Sequence, residues 1–191
     1  MEFTLHYRGP LKAASGKNRR KDHKHDLRKH FHKQLKELWT LPQLKDVEDY
    51  LEAGPTPQGE IRLRQSVGAF EFVPLVSPRI FLVANIEMMM LRPEPEGAIF
   101  TRGGDIDNRL KTLMDALKVP NEESALPDGI SPSPDESPFF CLLTDDSLIT
   151  GIDIKTAHWL EPEIQETDEV VLTLRVRTKP TKIIFGNMAF L

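Results

Sequence analysis

The sequence predicts an α+β fold: a single domain over residues 1–191 in which a mixed β-sheet is packed by helices. Two hydrophobic patterns predict it. In some short segments apolar and polar residues alternate, or apolar residues follow one another without a break, as in strands. In other segments apolar residues recur every three or four positions, as in helices. A length of 191 residues fits one globular domain with additions.

Each predicted element follows from its local pattern. Residues 2–8 alternate apolar and polar side chains, which predicts a strand that Gly9-Pro10 ends. Residues 26–39 predict an amphipathic helix with a basic outer face, and residues 107–118 a helix with a narrow apolar stripe. The remaining predicted elements are a short helix at 44–51 and strands at 66–76, 78–91, 139–143 and 169–178.

Three segments are predicted to add to this core. Residues 8–59 form a basic helical extension that closes in a Pro/Gly linker. Residues 119–138 hold five prolines, five acidic residues and no basic residue, which predicts a solvated loop. Residues 183–191 are apolar enough to pack either on the body of the domain or on a second subunit.

Charge is distributed unevenly along the chain. The net charge is −4, but the segment from Arg8 to Lys36 carries eleven Lys or Arg and two Asp, so it is +9 and the rest is −13. Each Lys or Arg that neutralises a nucleic-acid phosphate releases a counterion, which favours binding. The candidate nucleic-acid-binding residues are Lys17, Arg19, Arg20, Lys21, Lys24 and Arg28.

Several features predict a cytoplasmic protein that does not enter a membrane. No segment approaches the roughly 20 apolar residues of a membrane-spanning helix. The N-terminus lacks the basic and then apolar order of a signal peptide. The single cysteine, Cys141, excludes an internal disulfide framework and suits a reducing compartment.

Four aspartates in two short motifs are the candidate metal ligands. Asp105 and Asp107 lie on one side of their segment if it is extended, and Asp107 stands where a helix N-cap belongs. Asp145 and Asp146 follow an apolar strand, where adjacent carboxylates repel each other unless a cation binds. Carboxylates, water and phosphate are the usual ligands of Mg²⁺, which can support phosphodiester cleavage. Lys111, one turn after Asp107, can stabilise negative charge on a phosphate.

Each of these residues also has a purely structural interpretation. Asp105 and Asp107 suit a turn followed by a helix cap. Lys111 suits a surface ion pair with Asp107 or Asp115 at helical spacing.

Taken in order, the motifs resemble the RusA family of Holliday junction resolvases over roughly residues 78–155. The segments that carry the resemblance are Asp105-Ile106-Asp107-Asn108 with Lys111, Asp115-Ala116-Leu117, and Asp145-Asp146-Ser147. The family consists of small dimeric, magnesium-dependent endonucleases with an α/β fold that cut four-way DNA junctions.

The resemblance implies a RusA-like domain, a Mg²⁺ cofactor that Mn²⁺ can replace, and a homodimer. It implies branched DNA as the substrate, in recombination and repair. Catalytic roles are implied for Asp105, Asp107, Lys111 and Asp146, and metal binding for Asp105, Asp107, Asp145 and Asp146.

Two departures from the family bear on the substrate. The family joins the helix to the D-D-S strand by a short turn, whereas this chain inserts residues 119–138, and its N-terminal part is longer. A different branched or flapped DNA therefore stays open. So do two other functions: a structure-specific DNA-binding protein without turnover, and a metal-dependent nuclease that acts on RNA.

Overall fold

The computed structural model describes residues 1–13, 20–54, 58–94, 106–160 and 168–191. Helices and two β-sheets form within these residues, which confirms the predicted α+β class. In chain order the strands and α-helices are β1 (Glu2–Pro10), α1 (Lys21–Trp39), α2 (Pro42–Lys45), β2 (Gln65–Val67), β3 (Phe70–Val76), β4 (Leu82–Arg92), α3 (Ile106–Leu117), β5 (Phe139–Leu143), β6 (Ile149–His158) and β7 (Glu169–Pro180). Short 3₁₀ helices lie at Glu48–Leu51, Pro78–Ile80, Glu123–Ala125, Pro134–Glu136, Asp146–Leu148 and Phe185–Phe190.

The larger sheet has the strand order β1-β7-β4-β6. β7 is antiparallel to both β1 and β4, and β4 is parallel to β6. Buried residues alternate along β1, β7 and β4, among them Leu5, Ile86 and Leu174. The opposite face is polar: Glu2 pairs there with Arg175 and Arg177. This alternation is what an antiparallel sheet with one solvated face requires.

The smaller sheet has the order β2-β3-β5, with β3 and β5 parallel. All five residues of β5 are buried, as a strand covered on both faces should be. α1 packs on β5 and on α3, and it buries Leu27, Phe31 and Leu35 at intervals of four residues. α1 therefore connects the two places where the candidate site residues lie.

Some predicted elements were wrong in detail. The predicted strand at 78–91 begins only at Leu82, because Pro78–Ile80 form a 3₁₀ turn. The predicted strand at 66–76 is a hairpin, because Gly68 adopts a φ of 57° and turns the chain between β2 and β3. That left-handed conformation is one that glycine adopts readily. The predicted short helix at 44–51 is instead α2 followed by a 3₁₀ turn at Glu48–Leu51.

The sequence reasoning did not predict β6. Its burial pattern is mostly intermediate or exposed, because among the described residues it pairs only with β4 at the edge of the sheet. The alternation of Ile152 and Ile154 with Asp153 and Lys155 was the available signal.

The segment 119–138 is exposed over most of its length, as predicted, but buried side chains anchor it to the fold. Val119 and Leu126 are 4% and 3% exposed and pack with Phe72 and Phe139 of the smaller sheet. Glu136 is also buried; its carboxylate accepts a hydrogen bond from the Ser133 backbone N–H at 2.9 Å. The acidic segment is therefore part of the fold.

The C-terminal segment packs on the body of the domain through Phe190, whereas Ile183, Phe185 and Met188 are exposed. Phe190 is fully buried against Trp39, with the ring centroids 5.8 Å apart. Its carbonyl accepts a hydrogen bond from the Thr178 hydroxyl at 2.7 Å. In the described ranges no helix is long and apolar enough to cross a bilayer.

Candidate functional site

Asp107 and Lys111 both lie exposed on the first turns of α3. α3 begins at Ile106, one residue earlier than predicted, so Asp107 belongs to the first turn and is not the N-cap. There its negative charge interacts favourably with the helix dipole. Its Oδ1 accepts a hydrogen bond from the backbone N–H of Asn108 at 2.7 Å. Asp105 lies outside the described residues.

Arg109 anchors this end of α3 to the larger sheet. Its guanidinium is 3% exposed and lies 3.0 Å from Glu94 Oε1, just beyond β4, and 3.5 Å from Asp168 Oδ1, just before β7. Because Arg109 stands between Asp107 and Lys111 in the chain, these buried ion pairs fix the turn that carries both candidate side chains. The sequence reasoning gave Arg109 no role.

Asp145 and Asp146 form the turn between β5 and β6. Asp145 caps the 3₁₀ helix Asp146–Leu148, and its Oδ1 accepts a hydrogen bond from the Ser147 backbone N–H at 2.9 Å. Hydrogen bonds from Ser147, with a smaller contribution from the positive charge of Lys118, lower the pKa of Asp145 below its ordinary value. Asp145 is therefore held in its ionised form, which is the form that binds metal.

Asp146 contacts the C-terminal end of α3. Its Oδ2 lies 2.9 Å from Nζ of Lys118, which also lies 3.9 Å from Oδ1 of Asp115. The second oxygen of Asp115 lies 2.7 Å from Nζ of Lys24 on α1. Four side chains of alternating charge thus join α1, α3 and the β5–β6 turn.

The two candidate motifs contact different ends of α3. Asp107 is in its first turn, whereas Asp146 meets Lys118 just after its last. Asp107 and Asp115 are eight residues apart, which is about 12 Å along a helix axis. Within the described ranges, no three or more His, Cys, Asp or Glu side chains are grouped closely enough to hold a metal ion. Asp105 lies outside these ranges.

The donor chemistry of these residues fits Mg²⁺ or Mn²⁺. The candidate ligands are carboxylates, which are the hard oxygen donors that these ions take. Asp107 is exposed, so its carboxylate can bind an ion from solvent. The lowered pKa of Asp145 keeps its carboxylate in the charged form that binds metal. At Asp146 an ion would have to share the carboxylate with the ammonium of Lys118.

The candidate nucleic-acid-binding residues divide into three groups. Lys17 and Arg19 lie outside the described residues. Arg20 immediately precedes α1 in a left-handed conformation, with a φ of 86°. Lys21, Lys24 and Arg28 lie on one face of α1, and this face is turned toward α3 and segment 119–138 rather than fully toward solvent.

Much of the positive charge of α1 is paired within the chain. Lys21 lies 2.5 Å from Asp128, and Lys36 lies 3.4 Å from Asp135. Lys29 lies 3.2 Å from Glu136, which is also in segment 119–138. The basic and acidic halves of the sequence are therefore partly complementary surfaces of one fold.

Two interior contacts of this region were missed by the sequence reasoning. The contact of Lys118 with Asp115 could have been predicted, because the two residues are three positions apart, which is a spacing of ion pairs on a helix. Arg28 is only 2% exposed, and its guanidinium donates to the backbone carbonyl of Asp115 at 3.0 Å. No local pattern signals that a lysine- and arginine-rich helix buries one of its arginines.

No protein-family model, curated protein or solved structure matches this chain.

Proposed function

We propose that this protein is a magnesium-dependent endonuclease that cleaves phosphodiester bonds in branched DNA and acts as a homodimer. One observation carries the proposal. Four aspartates and one lysine, Asp105, Asp107, Lys111, Asp145 and Asp146, occur in the order and local spacing of the RusA-like resolvases. Two symmetry-related sites would suit paired cuts at a four-way junction.

The setting of the described residues supports this use. Asp107 and Lys111 project from a helix whose first turn is tied to the sheet by the buried Arg109. Asp145 and Asp146 follow β5, every residue of which is buried. Side chains carried on such rigid elements hold their positions better than side chains on free loops.

In the proposed reaction the chain's own groups bind and orient the substrate phosphate. The ammonium of Lys111 stabilises negative charge that develops on it. The residues that would hold Mg²⁺ belong to two separate motifs, Asp107 with its sequence neighbour Asp105, and Asp145 with Asp146 at the other end of α3. The ion would supply an activated water and neutralise phosphate charge. Asp145 contributes a carboxylate that its hydrogen bonds from Ser147 keep ionised.

A second function is favoured by one contact. The ammonium of Lys118, 2.9 Å from Asp146, already supplies a positive charge to the aspartate pair. The pair therefore does not require a metal ion for its stability. This contact favours a structure-specific DNA-binding protein without turnover.

A panel of substrates tests the proposal. The purified protein is incubated with a synthetic four-way junction, a flap, a linear duplex and a structured RNA, each with Mg²⁺, with Mn²⁺ or with EDTA. We expect cleavage of the four-way junction with either metal ion and none with EDTA. Junction binding without cleavage under any ion would select the binding function, and cleavage of the RNA alone would select a ribonuclease.

A further inference from the structure

Arg28 is a buried guanidinium without a carboxylate partner among the described residues. It is 2% exposed, and its two terminal nitrogens contact the backbone carbonyl of Asp115 at 3.0 Å and Nδ1 of His25 at 3.5 Å. Its Nε is buried and has no hydrogen-bond partner. A buried positive charge is costly unless a negative group compensates it. Burial accordingly lowers the pKa of Arg28 to about 10.

Arg28 lines a cavity between α1, the C-terminal end of α3 and the start of segment 119–138. The cavity has a volume of about 160 Å³. A cavity needs only about 10–15 Å³ of such volume to hold a water molecule, so this one has room for a small tetrahedral anion. The polar side chains that line it with Arg28 are Lys21, Lys24, Lys118, Asp115, Asn121 and Glu122.

The lining carries more positive than negative groups. Four cationic side chains face two carboxylates, those of Asp115 and Glu122. Lys24 and Lys118 are 23% and 11% exposed, so both are partly desolvated and water screens their charges only weakly. Asp115, which pairs with Lys24 and more distantly with Lys118, also lines the cavity, so an anion inside would share these ammonium groups with it. Asp146, the nearer partner of Lys118, is not among the lining residues. The amide of Asn121 adds a neutral donor.

We propose that this cavity binds a phosphate group, whose negative charge adds to that of Asp115 in compensating the buried Arg28. An arginine guanidinium matches the geometry of phosphate oxygens, and the two lysines add point charges around them. The identification of this phosphate as one in a nucleic-acid backbone rests on the proposed function.

Lys118 connects the cavity to the candidate active site. The same ammonium that lines the cavity pairs with Asp146. A backbone phosphate in the cavity would therefore lie next to the aspartate pair, at a position distinct from the bond that is cut. This would set the register of the strand relative to Asp146.

Calorimetric titration with inorganic phosphate tests the cavity. The titration is done in EDTA against sodium chloride of equal ionic strength, so that neither a metal ion nor general screening accounts for binding. We expect saturable binding by the wild type, weakened about tenfold, or about 1.4 kcal/mol, in Lys24→Gln. Lys33→Gln serves as the matched control, because Lys33 is exposed on the same helix and does not line the cavity.

Lys118→Gln provides a second variant with the same expectation if Lys24→Gln does not fold. Absence of saturable binding by the wild type, or equal affinities in Lys24→Gln and Lys33→Gln, would overturn the proposal. A short single-stranded oligonucleotide is then added as a competitor in EDTA. Competition assigns the cavity to a nucleic-acid backbone, and phosphate binding without competition assigns it to free phosphate.

These measurements are independent of cleavage. A protein that binds phosphate in the cavity but cuts no substrate would refute the nuclease and leave the cavity in place. A protein that cuts a junction but binds no phosphate in EDTA would support the nuclease and refute the phosphate-binding cavity.

Discussion

Asp146 shows how a single contact changes the interpretation of a motif. The sequence pattern predicts that adjacent aspartates at a strand end need a bound cation. In the structure Lys118 supplies one at 2.9 Å, and Ser147 stabilises the charge of Asp145. A metal ion at this pair must therefore share or displace an existing partner, and its affinity is lower than the carboxylates alone would give.

Arg109 is not itself a candidate site residue, but it fixes the turn of α3 that carries Asp107 and Lys111. In Arg109→Gln the carboxylate of Glu94, 14% exposed, loses its charged partner. Breaking a buried ion pair costs about 3 kcal/mol or more. We expect the free energy of unfolding, measured by urea denaturation at pH 7, to fall by about that amount.

Arg175→Gln is the matched control for this prediction. Arg175 is 49% exposed and pairs with Glu2 and Glu87 on the outer face of the larger sheet. Exposed ion pairs contribute about 1 kcal/mol or less. Equal losses of stability in the two variants would show that Arg109 does not anchor α3.

α1 carries two buried histidines that make its packing sensitive to acid. His25 is 1% exposed and contacts the rings of Phe70 and Phe139, which also contact each other. His32 is fixed by the backbone at both nitrogens: Nδ1 accepts from the N–H of Phe140 at 2.8 Å, and Nε2 lies 3.0 Å from the carbonyl of Asp135. If Nδ1 of His32 is protonated, its N–H and the N–H of Phe140 are two donors that face each other, so the hydrogen bond is lost.

Stability should therefore fall with acidification. Burial lowers the pKa of His25 from 6.5 to about 4, and burial also lowers the pKa of His32. Between these pH values the unfolded chain binds a proton at His25 that the folded chain does not. The free energy of unfolding should consequently decrease from about pH 6.5 toward pH 4, by up to about 1.4 kcal/mol per pH unit for each such histidine.

His25→Phe tests the assignment, because it keeps a ring in contact with Phe70 and Phe139 and removes the titrating group. Urea denaturation at several values between pH 6.5 and pH 5 should give a shallower pH dependence in this variant than in the wild type. His158→Gln, at an exposed position on β6, should keep the wild-type slope. An unchanged slope in His25→Phe would exclude His25 as a source of the acid sensitivity.

The elements that could be predicted from sequence are those with a strong local pattern. β5 is found at 139–143 as predicted, because a continuous apolar run between breakers has few alternatives. α1 starts at Lys21 rather than at 26, because its first turn is stabilised by contacts with α3 that carry no apolar signal. β6 was missed because an edge strand depends on its neighbour β4 more than on its own pattern.

For the molecule as a whole, the division of the sequence into a basic and an acidic part reflects pairing within the chain as well as any binding of phosphates. The segment of charge +9 includes α1, whose lysines pair with aspartates and a glutamate of segment 119–138. Sequence composition cannot distinguish such internal pairing from a surface for phosphates, since both give the same local charge. The distinction depends on which elements pack together.

The candidate site was predictable in its residue types and less so in its geometry. Asp107 and Lys111 lie exposed on one end of α3, as their spacing predicts. That Asp146 contacts Lys118 at the other end of α3 depends on the path of the chain through segment 119–138. No local rule gives that path.

Cleavage of a synthetic four-way DNA junction with Mg²⁺, wild type against Asp107→Asn, tests the proposed function most directly. Asp107→Asn keeps the size of the side chain and removes its charge, and Asp153→Asn on β6 is the matched surface control. We expect the wild type and Asp153→Asn to cut the junction at the same rate and Asp107→Asn to lose at least about a hundredfold, or about 2.7 kcal/mol of transition-state stabilisation. Equal cutting by Asp107→Asn and the wild type would contradict the assignment.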